Sequence, residues 1–190
     1  MRRSAYCTVS FSVCSRRRTE FADHLIIYHP LRSSRRLQTC NTAVPPFVTD
    51  LNLSLDDKWV YVSCWGTGEL RRYDVSVPDR PKLTSVLQIG GIARRAPHPK
   101  ELNVPLNGGP QMVEISRDGK RVYFTNSLYT SWDEQIYPDG IRTWFLKADA
   151  GPDGSLRLDP NFFVTSTEHR LHQVRLDGGD ASSDSFCYPS

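Results

Sequence analysis

Imidazoles, thiols and one cluster of aromatic and acidic groups are the side chains of this 190-residue chain whose types could do chemistry. His172 stands in "LHQVRLDGGD". Neutral imidazole is a natural ligand for copper and other transition metals, although a lone histidine in a strand-like run is more often a packed or hydrogen-bonding residue. His169 and His172 could chelate together only from a loop or a helix, because positions i and i+3 of a strand face opposite sides. His98 lies between Pro97 and Pro99 in "RRAPHPKE". The prolines stiffen an insertion that could present the ring to a ligand, but exposed loop histidines are commonly idle. Asp180 and Asp184 in "GGDASSD" could steer a liganding imidazole from behind, yet a Gly-Gly-Asp turn with capping carboxylates is the simpler account. "SLYTSWDEQIYPD" carries Tyr129, Trp132, Asp133, Tyr137 and Asp139. Aromatic walls with few polar groups suit a small apolar substrate; they equally anchor a long loop to a sheet.

The five cysteines, Cys7, Cys14, Cys40, Cys64 and Cys187, form no CxxC pair and no disulfide framework. An odd, scattered set fits a reducing compartment, and cytoplasm is the expected location. Cys64 sits beside Trp65 in a β-rich run and reads as core. Cys187 has no basic neighbour that would lower its pKa.

Charge is unevenly spread. Met1 to Ala43 holds eight arginines against Glu20 and Asp23, leaving 16 basic and 19 acidic residues beyond it. The main body therefore has no electrostatic footprint for nucleic acid. The longest apolar run, "HLIIYHPL", is too short to cross a bilayer. The basic leader, residues 1–43, has transit-peptide composition but no amphipathic stripe. It is expected to be disordered or non-native, and the fold is read from residues 44–190.

The elements that must position these groups come from a repeat. "LSLDDKWVYVSCW" (Leu53 to Trp65) is echoed by "ISRDGKRVYFTNS" (Ile115 to Ser127), with Ser54, Asp56, Lys58, Val60 and Tyr61 recurring 62 positions later. Around each copy stand four short β-rich runs. The first set is "FVTDLNLS", "WVYVSCW", "ELRRYDVS" and "KLTSVLQIGG"; the second is "PQMVEIS", "RVYFTNSLY", "IRTWFLKAD" and "SLRLDP". Asp56-Asp57, Gly66-Thr67-Gly68, Asp118-Gly119 and Gly151-Pro152-Asp153-Gly154 punctuate them as turns. Four antiparallel strands per repeat is the pattern of a β-propeller blade, and a small β-sandwich is the competing fold. The insertions "IARRAPHPKELNVPLNGG" and "TSWDEQIYPDG" fall where repeat proteins build a binding face. Two blades leave sheet faces and edges bare, so missing blades or self-association is expected to cover them.

"LSLDDKWVYVSCWGTGELRRYDVSVPDRPKL", "GGPQMVEISRDGKRVYFTNSLYTSWDEQIYPDGI", "DPNFFV" and "HQVRLDGGDASSD" resemble the carboxy-terminal part of the selenium-binding protein family, from about Val44 to Ser190. The resemblance implies an all-β fold: about two four-stranded blades of a seven-bladed propeller. Some members are methanethiol oxidases, so it also implies copper-linked oxidation of a small thiol substrate, methanethiol, with O2 and water to formaldehyde, hydrogen sulfide and hydrogen peroxide. Selenium binding, through a cysteine in the amino-terminal half, is associated with the family too. No counterpart of that cysteine or of the amino-terminal blades is found in this chain, and Cys64 belongs to a different motif. His172 matches a family histidine and is the one expected metal ligand. The expectation is a partial, inactive relative of methanethiol oxidase. The alternative is a non-catalytic propeller that carries selenium or a thiol, or serves as a docking platform.

Overall fold

The computed structural model describes residues 44–92, 96–104, 106–137 and 140–173. The basic leader, Asp139, Asp180, Asp184 and Cys187 lie outside them.

All eight expected strands form. The first sheet comprises β1 (Val48–Leu53), β2 (Trp59–Cys64), β3 (Glu69–Asp74) and β4 (Lys82–Gln88). The second comprises β5 (Val113–Ile115), β6 (Arg121–Thr125), β7 (Thr143–Ala150) and β8 (Leu156–Ser166). Each is a plain antiparallel meander in which every strand pairs with its sequence neighbours. The β-branched and aromatic runs of β2, β3, β5, β6 and most of β7 are buried on both faces, whereas β1, β4 and β8 at the blade edges are half-buried and more polar.

The sheets lie side by side as blades do. β1 packs against β5 at one end and β4 against β8 at the other, so like strands face like strands. One core fills the seam: Tyr61 and Leu70 from the first blade meet Val122, Phe124, Trp144 and Leu146 from the second. Arg72 crosses the same seam. Its Nη1 donates to the Gly151 and Ser155 carbonyls at 2.6 and 3.0 Å, and its guanidinium stacks 3.9 Å from the Trp59 ring.

The duplicated turn is duplicated in its hydrogen bonds. Ser54 Oγ lies 2.6 Å from Asp56 Oδ1 and accepts from Trp59 N at 3.0 Å; Ser116 Oγ lies 2.6 Å from Asp118 Oδ1 and accepts from Arg121 N at 2.9 Å. These tight turns close one end of each blade. At the other end, the glycines after β3's leading turn and β4 let the chain double back. A Cβ on Gly90, at φ 66°, would stand 2.0 Å from the Gly108 carbonyl oxygen, and one on Gly68 would stand 2.1 Å from that of Gly90. Both insertions and the chain leaving β8 therefore gather on this single rim.

Two elements differ from expectation. The "TSWDEQIYPDG" insertion contains a short helix, α1 (Thr130–Ile136), instead of a loop alone. β8 also runs past Asp159-Pro160, where the strand reading ended. Lys147 stands opposite the bulged residues, and its Nζ holds Asp159 at 2.7 Å. On an outer strand, proline's missing N–H leaves no ladder bond to lose.

Candidate functional site

His172 lies on the irregular chain beyond β8, where residues 169–173 turn back over the rim of the second blade. Leu171 packs beside Tyr123, Phe145 and Phe162, which anchors the turn on an apolar patch. The end of β6 grips the residue twice. Thr125 Oγ1 donates to the His172 carbonyl, and the ring Nδ1 stands 2.7 Å from the Ser127 carbonyl oxygen. A carbonyl can only accept, so in the neutral ring Nδ1 carries the proton and Nε2 the lone pair. That is the tautomer a metal or an electrophile would meet. The ring borders a shallow depression with Met112, Glu114, Tyr123, Phe124, Thr125 and Phe145.

Asp50 on β1 sits near this ring across the blade seam. It accepts from Leu51 N at 2.9 Å and from Val113 N of the second blade at 2.8 Å. Burial pushes its carboxyl up to about 6, while those two bonds and the His172 ring oppose the rise. Beyond its place in "FVTDLNLS" no sequence motif marked Asp50. The available signal was an acid in the first strand of a repeat, where an apolar residue would pack more cheaply.

The other expected groups do not join His172. His98 is fully buried and stacks on Phe163 at 4.4 Å, so the insertion does not present it to a ligand. Its Nδ1 accepts from Lys100 N at 3.0 Å, which leaves Nε2 as the protonated nitrogen and removes the free lone pair. Burial depresses its basicity, and the Asp159 backbone works against that. His169 lies on the same turn as His172, but among the described residues no group of three or more His, Cys, Asp and Glu could hold a metal ion. Cys64 is core, as its neighbours suggest: burial pushes its thiol up to about 12, with Arg71 pulling the other way.

The aromatic cluster is split. Tyr129 and Trp132 stand 66% and 52% exposed, whereas Asp133 and Tyr137 are buried. The cluster therefore does not close into a wall around a substrate. Tyr137 meets Trp65 edge-on at 6.2 Å, and Asp133 Oδ2 takes the Arg170 guanidinium. Burial raises the Asp133 carboxyl above the usual range, and Arg170 offsets part of that.

Residues 10–187 match the family of 56 kDa selenium-binding proteins. The chain belongs to that family. The match reaches upstream of Val44, into the basic segment that shows no blade repeat. Among relatives, the chain is 43% identical over 164 residues to a methanethiol oxidase of Homo sapiens, 40% identical over 166 residues to selenium-binding protein 2 of Mus musculus, and 37% identical over 164 residues to selenium-binding protein 3 of Arabidopsis thaliana. Each alignment takes in 74% of this chain; the first two span 35% of the relative and the third 34%. A hypothetical selenium-binding protein of Sulfolobus tokodaii, solved by X-ray crystallography, superposes with a TM-score of 0.70 at 58% identity, over 77% of this chain and 32% of that one. This selenium-binding protein relative thus spans about a third of the length of the proteins it matches. No helix among its described residues is long and apolar enough to cross a membrane.

Proposed function

We propose that this chain supplies one imidazole, His172, to a copper-dependent thiol-oxidising centre of the methanethiol oxidase type, and that it does not catalyse the oxidation by itself. The observation that carries this is the Nδ1 contact with the Ser127 carbonyl, which leaves Nε2 bare at the rim. Copper needs several donors, and the described residues provide no cluster of three. The described residues by themselves therefore do not fit the metal, and no step of the reaction is assigned to them. The remaining ligands and the walls around a small thiol would come from blades outside the described residues, or from association with other chains. Cytoplasm is the compartment proposed, on the scattered thiols.

The non-catalytic reading, a selenium or thiol carrier, needs an accessible thiolate. Cys64 does not provide one, because its thiol is buried and stays protonated well above neutral pH. That reading would have to use one of the cysteines outside the described residues.

The test is a copper(II) titration of the purified, 15N-labelled chain, followed by methanethiol in air. Paramagnetic broadening should reach the His172 ring resonances at lower copper than those of buried His98, and hydrogen peroxide should stay at the buffer level. Broadening of His98 first would overturn His172 as the ligand. Peroxide released in proportion to the chain would overturn its inactivity alone.

A further inference from the structure

α1 is seven residues long, and its N-cap Tyr129 makes no side-chain capping bond. Helices shorter than about 12–15 residues are marginal in water, so contacts outside the helix must hold this one. Two such contacts exist. Tyr137, at its C-terminal end, meets Trp65 of the first blade, and Asp133 binds Arg170. Asp133 is 2% exposed, and its partner is two residues from His172.

The turn that carries His172 is held at other points as well. Thr143 Oγ1 of β7 lies 2.9 Å from both the Ser166 and the His169 carbonyls and shares its one proton between them, and Thr125 Oγ1 donates to that of His172. Backbone grips of this kind locate the chain. They leave open the rotation that sets how the His172 ring meets the Ser127 carbonyl. An ion pair two residues upstream, anchored in a buried carboxylate, fixes the path by which the chain enters His172, and removing one partner would strand the other charge. A ligating group has to be held in its productive geometry by the residues around it, and this turn has restraints on both sides of His172.

We infer that Asp133 is a positioning residue for His172: α1 acts as a strut that holds Arg170, and through it the His172 ring against the Ser127 carbonyl. This assignment of the insertion rests on the reading of His172 as the functional imidazole. The geometry it predicts is nevertheless readable without any activity.

The test uses 15N-labelled full chain at neutral pH, reading the His172 ring nitrogens by long-range 1H–15N correlation. Wild type should show one tautomer, with a protonated Nδ1 and a bare Nε2. Asp133→Asn should convert this to averaged ring-nitrogen shifts, with loss of the separate Nδ1–H signal, while backbone amide signals of β1–β7 keep their positions. The charge-exchanged pair, Asp133→Arg with Arg170→Asp, should restore a single tautomer. If Asp133→Asn does not fold, Arg170→Gln, whose side chain is partly exposed, reads the same coupling. A folded Asp133→Asn or Arg170→Gln protein that keeps the wild-type His172 signature overturns the proposal. So does a charge-exchanged protein that folds but stays averaged. Failure of the thiol-oxidase reading would leave the ring signature unchanged, so the two outcomes are separable.

Discussion

Asp50 couples the two blades at the scale of a single carboxyl group. It takes two backbone N–H bonds, one from its own strand and one from Val113, yet the seam around it raises its pKa to about 6. Desolvation of the charged form outweighs the bonds that favour it. The sign for stability follows from linkage. A group whose folded pKa lies above the unfolded value near 3.8 helps the folded state most at low pH, where it is protonated in both states, and that help is lost as pH rises through about 6. A shift of roughly two units corresponds to about 3 kcal/mol, an upper bound for this group. Urea denaturation of wild type and Asp50→Asn between pH 4 and pH 7 should show the wild type losing ground to the variant by up to about that amount. Parallel pH profiles for the two proteins would show that Asp50 is not the buried group that titrates.

At the scale of elements, the two copies of the hairpin turn differ at one informative place. Gly119 occupies φ 69° in the second copy, and Asp57 occupies φ 55° at the corresponding place in the first. An aspartate tolerates the left-handed region better than most L-residues, but glycine adopts it at no steric cost. Asp57→Gly should therefore stabilise the chain by a few tenths to about 1 kcal/mol, less than the relief of strain because glycine also gains freedom in the unfolded chain. Asp118→Asn should act the other way. The Asp118 carboxylate is held below its ordinary range first by Ser116 and then by Lys120 N, and an amide replaces it poorly. Chemical melts at pH 7 check the glycine variant, and a loss of stability in Asp57→Gly would refute the equivalence of the two turns.

The same hairpins explain how much of the fold was legible beforehand. Strand alternation and the repeated Ser-x-Asp-x-Lys turn are local signals, and all eight strands form where those signals put them, although β8 continues beyond its expected end. α1 was not legible because its stability comes from Asp133 and Tyr137 reaching partners far along the chain. His98 was misread for a related reason. Flanking prolines report stiffness but not the side on which a loop settles, and here it settles with the ring on Phe163. His172 could be singled out in the sequence. Its tautomer could not, since the deciding oxygen belongs to Ser127, 45 residues earlier.

For the whole molecule, the question is whether the two blades behave as one cooperative unit. Their shared core argues that they do, because Tyr61 and Leu70 find their apolar partners in the second blade. Arg72 ties the polar side of the seam. The buried guanidinium caps two carbonyls of the Gly151–Ser155 turn and lies flat on Trp59, with no carboxylate in hydrogen-bonding contact among the described bonds. Burial makes it a weaker base than usual, which is the cost of holding a charge there. Replacing it with methionine keeps much of the stem's packing but leaves the Gly151 and Ser155 carbonyls short of a donor. Charge-assisted hydrogen bonds are worth about 1.5–3 kcal/mol and a desolvated cation–π contact about 2 kcal/mol, less the cost of keeping the charge out of water. Arg72→Met should thus cost about 2–4 kcal/mol. Because the loss falls on the seam, the expected result is a single transition at lower denaturant, monitored by tryptophan fluorescence and by far-UV circular dichroism. Two separated transitions in the wild-type protein would mean that each blade melts alone and that the seam, with Asp50 and the approach to His172 built on it, is a contact between independent parts.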